Sequence, residues 1–260
     1  GQIRLCSKSN KRKDMMGIID WRMQQCTKRN VKFNFNFFAE SQDLIEENPD
    51  TIIIATGGIP NLELFETKKN LENVFTSWDI ISGEIKLAEN ILIYDEAGDH
   101  TAMQSAEIAV EKGSRVEFMT PDRLISPEIM GMNLTPYLKN LQNKNITFSI
   151  AKRLIDVSIQ GNKLNAVIGS DYDEFYKYNS TYDQIIFNYG VKPLDELYFK
   201  LVPYSRNEGE INYDKFIKGE KQNIIKNKNN QFNLYRIGDA VSSRNIHAAI
   251  YDALRLVINL

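Results

Sequence analysis

The chain has 260 residues, 42% apolar and 25% charged, a composition that suits one large globular domain or two ordinary ones. A formal net charge of −2, with no basic run long enough to follow a phosphate backbone, argues against a nucleic-acid partner. There is no run of about eighteen apolar residues and no signal-peptide pattern, so neither a membrane partner nor secretion is expected and the compartment is read as cytoplasmic.

The chain opens at Gly1-Gln2 without an initiator methionine or a leading strand, and is read as a fragment of something longer. Lys8, Lys11, Arg12 and Lys13 form the densest basic cluster, read as a solvated loop before a helix. Met15, Met16, Ile18, Ile19, Met23 and Cys26 recur at helical spacing and predict an amphipathic helix over residues 13–29. Val31, Phe33, Phe35 and Phe37 alternate with polar residues, a period of two that predicts a half-buried strand. A short acidic helix is expected over residues 44–47, ahead of Pro49.

Residues 51–55 are continuously apolar after Thr51, as in a parallel strand covered on both faces. They lead into Thr56-Gly57-Gly58-Ile59-Pro60, where paired glycines permit a tight turn and close approach of a ligand. Residues 61–89 read as a crossover. Strand 91–94, helix 102–112 and strand 115–119 then make a βαβ unit of about thirty residues. A helix over residues 133–143 and a strand over 146–150 follow, and Gln160-Gly161-Asn162-Lys163 joins strands 154–159 and 164–168 as a hairpin. A further strand over 184–188 runs into Tyr189-Gly190-Val191-Lys192-Pro193, echoing the earlier turn, before a polar surface excursion over 207–231.

The chain closes on a short apolar strand, then Gly238-Asp239-Ala240 and a helix from Arg244-Asn245-Ile246-His247. Glycine lets a ligand approach, the Asp239 carboxylate can accept bonds from ribose or ribityl hydroxyls, and the helix amides can face phosphates. The competing reading is a buried turn and cap with no ligand. His247 is read either as a neighbour of that nucleotide or as a helix-packing residue. Cys6 and Cys26 lack the spacing of a zinc, cluster or redox motif, and with His100 and His247 the only histidines no metal site is expected here. The pattern as a whole predicts an α/β class with two Rossmann-like dinucleotide-binding domains, the second inserted into the first. The outer domain covers 1–88 and 196–260 and the inserted domain 89–195.

Gly1-Gln2, Ala55-Thr56-Gly57-Gly58 with Pro60, and Ile237-Gly238-Asp239-Ala240 resemble flavoproteins with paired dinucleotide-binding domains. That resemblance implies that the outer domain is FAD/ADP-binding-like and truncated at its N-terminus, lacking its first βαβ, and that the inserted one is NAD(P)-binding-like. More closely, Arg12-Lys13-Asp14-Met15-Met16 and the run from Ser243 to Arg255 resemble the C-terminal half of the trimethylamine dehydrogenase group of iron–sulfur flavoproteins, which includes dimethylglycine-type demethylases. The resemblance implies an amine dehydrogenase or N-demethylase whose missing N-terminal part is a barrel with FMN and a 4Fe–4S cluster. The present module would hold ADP or FAD. Ala55, Thr56, Gly57, Gly58, Gly238 and Asp239 would approach the nucleotide, with Arg244, Asn245, Ile246 and His247 starting the phosphate-facing helix. No catalytic residue is assigned to this chain. The expected partners are its own N-terminal flavin barrel, an electron-transfer flavoprotein and further copies in a homo-oligomer. The alternatives are a 2,4-dienoyl-CoA reductase-type NAD(P)H:flavin oxidoreductase, or a packing platform that binds nothing.

The loop after strand 91–94 is where a nicotinamide nucleotide would sit, and a working fingerprint needs glycines for the turn and for pyrophosphate approach. This chain has Asp95-Glu96-Ala97-Gly98-Asp99-His100, one glycine and three carboxylates. A carboxylate about 4 Å from a phosphate opposes it by roughly 1–4 kcal/mol, against about 0.3–1 kcal/mol of helix-terminus attraction. The NAD(P) site is therefore expected to be degenerate.

Overall fold

The computed structural model describes residues 1–62, 71–258 and 260, so part of the expected 61–89 crossover lies outside the described residues. The chain divides into two compact units, Gly1–Cys26 with Pro60–Gly190, and Thr27–Ile59 with Val191–Leu260. The first 26 residues thus group with the middle of the chain, whereas the sequence reading placed them with its two ends.

The first unit opens with α1 (Gln2–Cys6), a 3-10 stretch (Asn10–Met16) and α2 (Gly17–Lys28). The helix expected from residue 13 is α-helical only from Gly17. Ahead of it Arg12 leaves helical geometry at φ −129, and its guanidinium pairs with Glu107 at 2.9 Å beside Lys11 at 3.2 Å. The basic cluster is therefore partly a tether on a buried carboxylate, where the sequence suggested a solvated loop.

In the second unit come α3 (Ser41–Glu46), β1 (Thr51–Ile54) and β2 (Gly58–Pro60). The strand expected over 31–37 does not form. Phe35 and Phe38 are 67% and 87% exposed, Asn30 and Asn36 adopt left-handed backbone at φ 57 and 55, and the Phe33 and Phe35 rings stack on each other at 5.4 Å. Alternation specifies a face but supplies no ladder partner, and β1 takes its partner from Asn233–Arg236 near the other end of the chain.

The middle of the chain builds β3 (Val74–Thr76), α4 (Ser77–Ser82), β4 (Asn90–Asp95), α5 (His100–Glu111), β5 (Arg115–Met119), α6 (Gly131–Leu141) and β6 (Ile146–Ser149). An antiparallel sheet of β7 (Arg153–Gln160), β8 (Lys163–Gly169) and β9 (Tyr178–Tyr182) precedes β10 (Gln184–Asn188). The parallel sheet has the order β3-β10-β4-β5-β6. Ile91, Leu92, Ile93 and Tyr94 of β4 are fully buried. Ile91 and Ile93 face a cluster containing Met103, Phe118 and Leu141, while Leu92 and Tyr94 join one with Leu154, Ala166 and Tyr182. Helices cover one face and the antiparallel sheet the other, which is why β4 and β10 read as unbroken apolar runs.

The second unit resumes with β11 (Val191–Pro193), α7 (Glu196–Leu201), α8 (Tyr213–Lys218), β12 (Asn233–Arg236) and α9 (Ile246–Val257). Ile52, Ile54, Tyr198, Leu201, Phe232, Leu234 and Ala240 form its core.

These burial contrasts predict unequal mutational costs. Ile186→Ala, in the middle of β10, should destabilise the chain by about 2–5 kcal/mol in denaturant unfolding. Phe35→Ser, on the exposed segment, should change it by no more than about 0.5 kcal/mol.

Candidate functional site

In the second unit β1 lies parallel to β12, pairing Thr51 with Asn233 through Ile54 with Arg236. The Ile237 amide donates to the Ile54 carbonyl at 3.0 Å, so the ladder continues one step past the strands. Both strands then turn at the same carboxyl end, the position at which open α/β sheets bind ligands. Residues Ala55–Gly58 and Gly238–Asp239, far apart in sequence, are thereby brought to one edge.

Ala55 and Thr56 are exposed at that edge. The Thr56 hydroxyl donates to the Leu194 carbonyl, and the Leu194 amide donates to the Gly57 carbonyl at 3.0 Å. Space beside the Gly57 Cα is open. Gly58 has a different reason to be glycine. A Cβ there would fall 2.3 Å from Val191 Cγ1 and 2.6 Å from the Lys192 carbonyl, so its close approach is to the β11 backbone. The sequence reading assigned that approach to a ligand.

On the other turn, Gly238 is buried at φ +61 against Ala249. Its amide donates to Asp252 Oδ2 at 3.0 Å. Arg244 pairs through its guanidinium with the same carboxylate, Nη1 standing 3.3 Å from Oδ1, while its backbone amide donates to Asp239 Oδ1 at 3.2 Å. Arg244 is thus engaged with the protein. Asn245 caps α9, accepting from the Ala248 amide at 3.0 Å. The amides of Ile246 and His247 open the helix with no acceptor recorded among the described residues, and the His247 side chain is exposed.

Two participants escaped the sequence reading. Asp252 is 4% exposed and lies on the inward face of α9 with Ala249 and Leu256, an acidic residue at a core position of the helical period, which was the available signal. Arg236, at the end of β12, pairs with Asp195 at 2.5 Å and stacks over Tyr198 at 4.6 Å. Nothing local in the sequence marks that second pair.

In the first unit, the β4–α5 turn is filled by its own carboxylates. Asp95 Oδ1 accepts from the amides of Ala97 at 3.1 Å and Gly98 at 3.0 Å. Asp99 caps α5, accepting from Thr101 at 2.9 Å. Glu96 accepts from the Tyr94 hydroxyl at 2.7 Å and Arg153 at 2.9 Å. The His100 ring meets the Tyr137 hydroxyl at 3.1 Å, and burial, helped by the Arg12 charge, lowers its pKa. The Ala97, Gly98 and Thr101 amides, which a pyrophosphate would take at this turn, already have side-chain carboxyl oxygens as acceptors.

Asp252→Ala should cost about 1–3 kcal/mol in denaturant unfolding, because it leaves the Gly238 amide unpaired. Asp252→Asn should recover the part due to the Gly238 bond. Equal losses in both variants would show that the Arg244 pairing is the larger contribution.

No protein-family model matches the chain. It is 51% identical over 257 residues to a probable N-methylproline demethylase from Rhizobium meliloti, covering 99% of this chain and 38% of that protein. A multifunctional alkene reductase/demethylase from Caballeronia cordobensis is 30% identical over 261 residues, covering 100% and 38%. Among solved structures, 6-hydroxypseudooxynicotine amine oxidase from Pseudomonas geniculata N1 superposes with a TM-score of 0.77 at 18% identity, covering 100% of this chain and 37% of that one, which shows a shared fold. The chain therefore spans 38% of the length of the curated relatives it matches over nearly all of its own. By sequence, the chain is similar over nearly its whole length to one part of proteins named as a probable N-methylproline demethylase, an alkene reductase/demethylase and an N,N-dimethylglycine/sarcosine dehydrogenase.

Proposed function

We propose that the chain is the nucleotide-binding C-terminal module of a larger oxidoreductase that oxidises a C–N bond, an amine dehydrogenase or N-demethylase, and that its second unit takes ADP or FAD. The observation that carries the reading is the pair of turns on adjacent parallel strand ends, in a chain 51% identical to part of a probable N-methylproline demethylase. An N-methylated amine is the corresponding substrate class, handled outside this module.

The residues fit a nucleotide at several points. Open space beside Gly57 leaves room for a ligand against the β1 turn. The Ile246 and His247 amides lead a helix twelve residues long, whose dipole favours a phosphate. Asp239, its carboxylate already steadied by the Arg244 amide, is placed to accept bonds from ribose hydroxyls. Asn245 holds the first turn in shape, and Arg244 is a positioning residue for Asp252 and Gly238. In the rest of the protein, FMN when bound supplies the oxidant for the C–N bond and a 4Fe–4S cluster the outlet for electrons. The residues here bind and scaffold. The first unit, with its turn amides occupied by side-chain carboxyl oxygens, takes no nicotinamide nucleotide, which weighs against the dienoyl-CoA reductase alternative.

Calorimetric titration of the full-length protein with ADP, FAD, NADH and NADPH tests this. ADP or FAD should bind saturably, and Asp239→Ala should weaken that binding about tenfold or more, roughly 1.4 kcal/mol. NADH and NADPH should show no binding tighter than about 50 μM. Heat from neither ADP nor FAD would overturn the second-unit assignment, and tight NAD(P)H binding would overturn the first.

A further inference from the structure

Asp95 sits at the carboxyl end of β4 and is fully buried, and its Oδ2 is one of two buried side-chain atoms among the described residues without a hydrogen-bond partner. Its other oxygen is saturated, accepting from Ala97, Gly98 and Asn188 Nδ2, the last at 2.9 Å. The same Asn188 nitrogen donates to Asp99 Oδ1 at 2.9 Å, so one amide group spans two carboxyl groups. Asn188 cannot be turned over. Its Oδ1 accepts from the Ser77 hydroxyl at 2.9 Å, which holds the nitrogen toward the two acids.

Among the described residues no cation answers this pair. Arg153 is engaged by Glu96 and Asp171. Arg12 and Lys11 are held at Glu107. His100, next to Asp99, is biased toward its neutral form. Glu96, adjacent in sequence, adds a further negative charge that Arg153 balances. A buried, unpaired carboxylate oxygen is costly, and the cost is lowered when the oxygen carries a proton, which removes the charge. Asp99 is partly solvated and stands at the positive end of α5, where charge is favoured, so the proton goes to Asp95.

We propose that Asp95 takes up a proton on Oδ2 near neutral pH, making Asp95, Asn188 and Asp99 a proton-dependent lock on the turn between β4 and α5. In agreement with this geometry, burial first and the Asp99 charge second push the Asp95 carboxyl up to about 7, against the bonds from Asn188, Gly98 and Ala97 that lower it. A folded-state value above the unfolded one means that the proton is held more tightly in the folded chain. The lock's contribution to stability is complete below the ordinary Asp range and is lost as pH rises through the folded value.

The test pairs a direct titration with two variants. In the wild-type chain the Asp95 side-chain carboxyl, followed by carbon-13 NMR, should titrate within about one unit of pH 7, far above the ordinary value of about 4. In Asp99→Asn, which keeps a capping oxygen, that midpoint should move down. The unfolding constant of wild type relative to Asp95→Asn should rise with pH by up to about tenfold per unit between about pH 4 and 7, then level off. An ordinary Asp95 midpoint, or a flat ratio, would overturn the proposal. Should Asp95→Asn fail to fold, the wild-type and Asp99→Asn titrations decide it between them.

Discussion

The second unit depends on one short parallel ladder, four residues of β1 against four of β12. Its strands come from opposite ends of the sequence, and their pairing alone puts the Ala55–Gly58 turn beside the Gly238–Asp239 turn. The register is held by side chains that fit one way only: Ile52 and Ile54 from β1, Leu234 and Tyr235 from β12, all buried. A slip of one residue would send each of these to the opposite face and carry the two turns apart. The Ile237–Ile54 bond extends the ladder to where the chain must turn, and the buried Gly238 then begins a 3-10 turn that no L-residue would enter without strain. The candidate site is a consequence of the ladder.

Both units close a strand-to-helix turn with a carboxylate, by different electrostatic solutions. Asp252 takes the Gly238 amide and is balanced by the Arg244 guanidinium, so its burial is tolerated as an ion pair with further hydrogen bonds. Asp95 takes the Ala97 and Gly98 amides with no cation among the described residues to balance it, and a proton is a means of removing its charge. The same local task, satisfying turn amides that have no helical partner, yields a fixed ion pair in one unit and a titratable group in the other.

The sequence was most legible where one physical effect dominated. Residues 91–94 and 184–188 read correctly as buried strands because both faces of the parallel sheet are covered and their central side chains, Ile91–Tyr94 and Ile185–Phe187, are apolar. The hairpin of β7 and β8 was plain from Gly161, but its third strand, β9, was not. Its sequence Tyr178-Asn179-Ser180-Thr181-Tyr182 is polar and mostly exposed, and it is a strand because β8 offers it an edge. The reverse failure, at residues 31–37, has the same root: a strand is a property of two segments, and period-two spacing describes only one. In the site, the glycines and Asp239 were visible as types, whereas the partners that fix them were not. Gly58 is explained by Val191 and Lys192, and Gly238 by Asp252, contacts that exist only after folding.

Those contacts also constrain how a nucleotide would be held. Arg244 could meet a pyrophosphate with a full, forked positive charge, but the fork is turned onto Asp252, and the Arg236 guanidinium is held by Asp195. The Gly238 amide is likewise engaged. What remains toward a phosphate is the opening of α9, an attraction of about 0.3–1 kcal/mol at an exposed helix end. Hydrogen bonds to a charged carboxylate are worth about 1.5–3 kcal/mol each. A ligand bound at this edge would therefore be recognised chiefly through hydroxyls on Asp239 and through fit against the Gly57 turn, with its phosphates tolerated more than gripped. Such a site selects for a ribose or ribityl chain in the correct place and discriminates poorly among the phosphate chains attached to it, which is why the same edge accommodates the ADP and FAD readings alike.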